Sequence, residues 1–171
     1  VKGSNYLEAL AKTGYVVFDK TGTLTEGVFK VTKIEAAAGY EPEKILEYAA
    51  HAESFSSHPI SKSLTESYGK EIDHTRVSEV EEVSGQGILA MVSGMQVAAG
   101  NAKLMQSLGI WQEIWKKHPN TEIGTIVYVA LNGGYAGYIL ISDVEKATAA
   151  EAVRALKAAG VKKTVMLTGD N

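Results

Sequence analysis

Two short apolar runs, Tyr15-Val16-Val17-Phe18 near one end of the chain and Thr164-Val165-Met166-Leu167 near the other, constrain the fold more than any other feature. Both are rich in β-branched or large apolar residues and too short for a helix. Each breaks directly into a polar turn, Asp19-Lys20-Thr21-Gly22-Thr23 after the first and Thr168-Gly169-Asp170 after the second. Runs of this kind read as buried strands. The second is approached through "ATAAEAVRALKAAG", a strong helix pattern with Gly160 as its stop, so helix and strand alternate there in the α/β manner. The two ends read as halves of one parallel α/β domain, and what lies between them as an insert.

The texture of the insert is different. After Gly27, "VFKVTKIEAAA" has partial strand alternation, and "EPEKILEYAAHAE" sets Ile45, Leu46, Ala49 and Ala50 at helical spacing behind Pro42. "HPISKSLTESYGK" opens a second helix at Pro59 and closes it at Gly69. The runs "RVSEVEEV", "GILAMVS" and "MQVAAG" follow, with a turn at Ser93-Gly94, and "TIVYVAL" and "YAGYILI" flank Asn132-Gly133-Gly134, the strongest hairpin signal in the chain. "NAKLMQSLGI" and "WQEIWKKH" read as short helices, Trp111 and Trp115 packing one turn apart. The expected organisation is residues 1–27 and 142–171 as the α/β part and 28–141 as an α+β insert, an antiparallel sheet flanked by helices.

Composition narrows the function classes. A chain of 171 residues with a net charge of −3 and no basic stripe has nothing with which to neutralise a nucleic-acid backbone. The absence of cysteine excludes disulfides and thiolate metal sites within this sequence. No apolar run approaches the roughly 18 residues a membrane helix needs, and "VKGSNYLEAL" lacks the apolar core of a signal peptide. With no initial Met and an end at "MLTGDN", the expectation is a soluble piece of a longer protein.

Asp19 is the chemical focus. Ligands of open α/β sheets gather at the carboxyl ends of the strands, and a carboxylate there can attack a phosphoryl group while hydroxyls and backbone N–H groups hold the transferring oxygens. An aspartate in that position also commonly caps a turn, and the residues alone leave both readings open. The insert adds Glu53, His58 before Pro59, Gly85 and Gly87 in "GQG", and Gly100-Asn101. Each has an ordinary structural reading as well: a helix entrance, a bend before a strand, a helix cap.

The uninterrupted "DKTGTLTEG" resembles the phosphorylation motif of P-type ATPases, and "MLTGDN" resembles their second phosphate-binding motif. The resemblance implies that Asp19 is phosphorylated by ATP, that Thr21 and Thr168 hold the phosphoryl oxygens, and that Asp19 with the backbone of Thr21 ligates Mg2+. Related haloacid-dehalogenase-type phosphatases carry a general-acid Asp where Thr21 stands; a hydroxyl cannot activate water comparably, so an aspartyl phosphate would persist. The insert signals, taken in order, resemble the nucleotide-binding domain of heavy-metal-transporting P-type ATPases. That implies Glu53 and His58 near the adenine, and Gly85, Gly87, Gly100 and Asn101 along the nucleotide.

The implied fold is an α+β nucleotide-binding domain inserted into a truncated α/β haloacid-dehalogenase-like phosphorylation domain. The implied parent is a cation export pump at the cell membrane with this part on the cytoplasmic face, its transmembrane and actuator domains elsewhere in the same polypeptide and its heavy-metal ion bound outside this chain. The lead-in "VKGSNYLEAL" is more similar to zinc, cadmium and lead exporters than to copper exporters. A copper exporter, a phosphatase or phosphotransferase of the haloacid-dehalogenase superfamily, and a non-catalytic nucleotide sensor are the alternatives. The downstream catalytic lysine and further magnesium ligands of the family have no counterpart before Asn171, which implies ATP binding with poor self-phosphorylation. Where the family has Asp-x-x-Arg-Pro, this chain has Asp143-Val144-Glu145-Lys146-Ala147; Asp143 is expected at a helix start or hinge. His51, His74 and His118 match no motif and are expected on the solvated surface.

Overall fold

The computed structural model describes residues 4–115 and 123–167. The chain divides into two compact units, Val1–Val28 with Asp143–Asn171, and Phe29–Ser142. Among the described residues no helix is long and apolar enough to cross a membrane.

In the first unit β1 (Tyr15–Asp19) and β8 (Lys163–Leu167) form a two-stranded parallel sheet, with Tyr15 opposite Lys163 and Asp19 opposite Leu167. Two helices belong to this unit, α1 (Ser4–Ala11) and α6 (Ala149–Ala158). The sequence reading treated the stretch that forms α1 only as a lead-in. It also expected β1 to be buried, and here the structure differs: Tyr15 and Val17 are 67% and 57% exposed, as are Met166 and Leu167 of β8 at 52% and 59%. Among the described residues two strands lack the neighbours needed to cover both faces: Tyr15, Val17 and Leu167 lie uncovered on one and Met166 on the other.

The second unit is built on a six-stranded sheet in the order β2-β7-β6-β5-β4-β3, comprising β2 (Thr25–Ala36), β3 (Val77–Val83), β4 (Gly87–Val92), β5 (Met95–Gly100), β6 (Thr125–Leu131) and β7 (Gly134–Glu145). From β3 through β7 successive neighbours are antiparallel. Side-chain alternation assigns the two faces. Val127, Val129 and Leu131 join Ile88, Ala90, Val92, Val97 and Ala99 in a core completed by Ile45, Ala49 and Ala50 of α2 (Pro42–Ala52) and Leu64 of α3 (Pro59–Tyr68). The intervening residues, Tyr128 and Ala130 of β6 and Ala98 of β5, pack on the opposite face with Leu104 and Met105 of α4 (Ala102–Ser107) and Ile114 of α5 (Trp111–Trp115). Residues of period two thus feed two cores from one sheet.

The turns follow local chemistry. Ser93-Gly94 and Asn132-Gly133 all have positive φ, at 51°, 76°, 49° and 76°, the mirror-image turn geometry that matches strand twist and favours Asn and Gly. Gly69 closes α3 in the left-handed conformation, and Pro42 and Pro59 open α2 and α3. Trp111 packs edge-on against Tyr128, with ring centroids 5.4 Å apart.

His51 corrects the sequence reading: expected on the surface, it is fully buried at the end of α2. Its Nδ1 lies 2.8 Å from the carbonyl oxygen of Glu47, and its ring meets Tyr68 edge-on at 5.4 Å. Polar sequence neighbours concealed this because burial of the last turn of α2 is decided by the elements that cover it. His74 is near the surface with its ring against exposed Phe55, and His118 lies outside the described residues. On the outer side of α2, Glu47 accepts from Lys44 (2.9 Å) and from Arg76 (2.8 Å), which ties the approach to β3 to the helix. The hydrogen bond from Lys44, aided by that from Arg76, holds the Glu47 carboxyl below its ordinary range.

Ile45 is fully enclosed between α2 and the sheet. Ile45→Ala should lower the unfolding free energy of the second unit by about 2–5 kcal/mol, the range for a truncated core isoleucine. Urea titration followed by far-UV circular dichroism measures this, and a loss below about 1 kcal/mol would show that this core is not what stabilises the sheet.

Candidate functional site

A cleft of about 270 Å³ opens in the second unit, lined among others by Glu53, His58, Gly85, Gly87, Gly100 and Asn101. Six residues singled out from separate stretches of the sequence are therefore brought to one concavity. The volume lies just below the roughly 300–1,000 Å³ typical of small-molecule sites.

Glu53 follows α2 in a single tight turn, Glu53–Phe55, and is 8% exposed. Its Oε2 accepts a hydrogen bond from the Ser61 hydroxyl at 2.5 Å. Burial pushes its carboxyl above the ordinary range, the Ser61 hydrogen bond and the proximity of His58 oppose that, and Glu82 across the cleft adds to it. His58 is the N-cap of α3: the Ile60 N–H donates to its Nδ1 at 3.2 Å, a role more often filled by Ser, Thr, Asp or Asn.

The glycines divide by cause. Gly87 and Gly100 face each other in the β4–β5 ladder, and a Cβ on either would collide with the other strand: that on Gly87 with the carbonyl oxygen of Ala99 and, at 2.5 Å, with the Gly100 Cα, and that on Gly100 with the carbonyl oxygen of Gln86. These two let the strands close at the floor of the cleft. Gly85 is different. It has φ of 67°, and a Cβ there would meet nothing within 4 Å. Asn101 joins the group by capping α4, its Oδ1 accepting from the backbone N–H groups of Lys103 (2.9 Å) and Leu104 (3.3 Å) while its Nδ2 donates to the Gly85 carbonyl at 2.9 Å. One amide thereby fixes the Gly85 turn to a helix start.

The first unit carries Asp19. It ends β1 with an exposed side chain, and the turn Lys20–Leu24 follows, Gly22 taking φ of 77°. Thr21 is exposed in that turn, and Thr168 lies outside the described residues. Thr25, 4% exposed, anchors the loop: the Gly22 N–H donates to its Oγ1 at 3.1 Å, and its hydroxyl is 2.5 Å from Asp143 Oδ2. Asp143 Oδ1 also accepts from the Gly27 N–H at 3.1 Å, and Lys146 donates through Nζ to the Gly22 carbonyl at 2.7 Å and through its backbone N–H to the Leu24 carbonyl at 3.0 Å. Asp143 is thus not at a helix start. It lies within β7, which runs to Glu145, and its carboxylate braces the loop after Asp19. Sequence reasoning missed this brace because Thr25 and Asp143 lie far apart in the chain. Among the described residues no three His, Asp or Glu side chains cluster as a metal site.

Residues 14–171 match the haloacid dehalogenase-like hydrolase family, and the chain belongs to that family. Over 171 residues it is 50% identical to the cadmium, zinc and cobalt-transporting ATPase of Bacillus subtilis, all of this chain aligning with 24% of that protein. The chain therefore spans about a quarter of the length of that curated relative. The crystal structure of a zinc-transporting PIB-type ATPase superposes with a TM-score of 0.76 at 34% identity, covering 100% of this chain and 28% of that one. The catalytic domain of a CPx-ATPase, solved in a study of its conformational changes upon nucleotide binding, superposes with a TM-score of 0.68 at 28% identity over 100% of this chain and 60% of that one. The fold is that of P-type ATPase catalytic domains: a haloacid-dehalogenase-like part and an antiparallel sheet flanked by helices.

Two expectations follow. Gly100→Ala should destabilise the second unit by about 1–3 kcal/mol or more through overpacking, whereas Gly85→Asn, a residue tolerant of positive φ, should stay within about 1 kcal/mol of the native chain in thermal unfolding. Asp143→Ala should leave the second unit intact while raising amide hydrogen exchange across residues 20–27; unchanged protection there would show that the brace is idle.

Proposed function

We propose that this chain is the ATP-binding and aspartyl-phosphorylation part of an ATP-driven heavy-metal export pump of the zinc, cadmium and lead class. The observation that carries the reading is the convergence of Glu53, His58, Gly85, Gly87, Gly100 and Asn101 on one cleft. The similarity to a cadmium, zinc and cobalt-transporting ATPase supports the choice of cation class. On this reading residues 28–141 form the nucleotide-binding domain, and 1–27 with 142–171 contribute to the phosphorylation domain.

Asp19 is the nucleophile. Its carboxylate oxygen attacks the terminal phosphorus of ATP, the bond from that phosphorus to the bridging oxygen breaks, ADP leaves, and an acyl phosphate remains on Asp19. The exposed side chain at a strand's carboxyl end and the braced loop behind it suit an in-line attack. Thr21 and Thr168 hold the phosphoryl oxygens. Thr21 replaces the carboxyl group that would activate water, so the acyl phosphate outlives its formation, as energy transduction requires.

Mg2+ offsets the repulsion between carboxylate and phosphate when bound. Asp19 and the carbonyl of Thr21 would hold it in this chain, and one carboxylate with one carbonyl suits an ion that keeps several waters. The transmembrane and actuator domains of the same polypeptide are the working partners, the transported cation is bound there, and this part faces the cytoplasm.

ATP titration followed by NMR should perturb amides around Glu53, His58 and Gly85, with His58→Ala and Gly85→Asp weakening binding at least tenfold, about 1.4 kcal/mol. Unaltered affinity in both variants removes the nucleotide site. In the full-length parent, Asp19→Asn should abolish acid-stable phosphoenzyme.

A further inference from the structure

Strand β3 changes face partway along its length. Val77 packs into the core beneath α2 and α3, whereas Val83, an even number of residues later, packs with the core on the opposite face of the sheet. Regular alternation would put both on one face. A β-bulge accounts for the switch: Ser78 pairs with Met91 but Glu81 pairs with Leu89, one residue more on β3 than on β4, and Glu79 between them takes φ of 51°. Beyond the bulge Glu82 stands directly opposite Ile88, which is buried in the core beneath α2 and α3, so Glu82 shares that face. Glu53 and His58 come from the connection between α2 and α3, and Glu82 lines the cleft with them. An unbulged β3 would set Glu81 opposite Ile88 in its place.

The charge of the cleft is therefore of one sign. Among the described residues its lining holds two carboxylates, Glu53 and Glu82, and neither lysine nor arginine. His58 adds no positive charge while its Nδ1 accepts the Ile60 N–H, because a ring nitrogen in that role carries no proton. Of the lysines beside cleft residues in sequence, Lys62 pairs with Glu66 at 3.7 Å and Lys103 is exposed on α4. Burial pushes the Glu53 carboxyl above its ordinary range, and repulsion from Glu82 adds to that push. A phosphate chain entering the same space meets the same repulsion.

We infer that Glu82, aimed into the cleft by the bulge, is a specificity-determining residue that opposes the phosphate charge of a bound nucleotide and holds its affinity down in step with that charge. This presupposes the nucleotide reading above and deepens it. The penalty grows from the monophosphate to the triphosphate, is absent for the uncharged nucleoside and weakens as salt screens it. A phosphate chain that gains nothing from this cleft stays free for a nucleophile carried elsewhere.

The test is calorimetric titration of this chain with adenosine, AMP, ADP and ATP, without Mg2+ and at low and high salt, for the native sequence, Glu82→Gln, Glu82→Lys and Glu81→Gln, each checked for folding by amide NMR. Glu81 is the control: it pairs with Leu89, which packs with the opposite core, so its loss changes the net charge equally without changing the cleft. Glu82→Gln should tighten ATP roughly three- to tenfold at low salt, ADP and AMP by progressively less and adenosine by less than about twofold, with every gain shrinking as salt rises. Glu82→Lys, which reverses the charge at an exposed edge position, should enlarge the same ordered gain. Glu81→Gln should leave all four ligands within about twofold of native. No gain for ATP, an equal gain for adenosine and ATP, or the same gain from Glu81→Gln overturns the inference, while ATP binding by the native chain leaves the nucleotide reading standing. A native chain that binds none of the four removes both.

Discussion

The parallel pairing of Tyr15–Asp19 with Lys163–Leu167 is the constraint on which the first unit depends. Parallel strands cannot be joined by a tight turn and need a crossover. Here the crossover is almost the whole chain, including a second unit with its own sheet and two cores. Because each core forms from residues 29–142 alone, closing such a long connection requires no ordering beyond what that unit's own burial already stabilises. The register sets Asp19 opposite Leu167, so the acidic side chain stands where β1 gives way to the Lys20–Leu24 turn. The exposed faces of Tyr15, Val17 and Met166 show how little of that unit's stability two strands supply by themselves.

Local rules are broken together in the cleft. Two glycines oppose each other because neither strand can approach with a Cβ present, a carboxyl is buried with one hydroxyl as its donor, and a histidine takes a capping position usually held by a smaller acceptor. Buried acids and unusual caps reduce stability unless compensated, and the compensation is specific: Ser61 for Glu53, the Ile60 N–H for His58, Asn101 for the Gly85 turn. Elsewhere in the unit aliphatic side chains alternate between two faces, with further exceptions such as the buried His51 and Gly137, where a Cβ would collide with the Glu35 carbonyl oxygen. The departures gathered in this concavity support the proposed binding site.

The loop after Asp19 follows the same logic with different parts. Its backbone bends through a glycine at positive φ, and side chains beyond residue 24 help to fix that bend. Thr25, Asp143 and Lys146 do so from outside, taking up the N–H groups of Gly22 and Gly27 and the carbonyls of Gly22 and Leu24.

The sequence by itself determined whatever is written in neighbouring residues. The strands around Asn132-Gly133 and Ser93-Gly94, the helices opened by Pro42 and Pro59, the stop at Gly69 and the acid that ends β1 were all legible, because turn geometry, fixed φ and side-chain period act over a few residues. Only the tertiary structure decided what depends on distant partners. Burial of His51, exposure of Val17, the brace from Asp143 to Thr25, the mutual contact of Gly87 and Gly100 and the hydroxyl of Ser61 on Glu53 all require two segments to meet. Burial and hydrogen-bond partnership belong to pairs of segments, whereas propensity belongs to one, and no window of sequence contains both members of the pair.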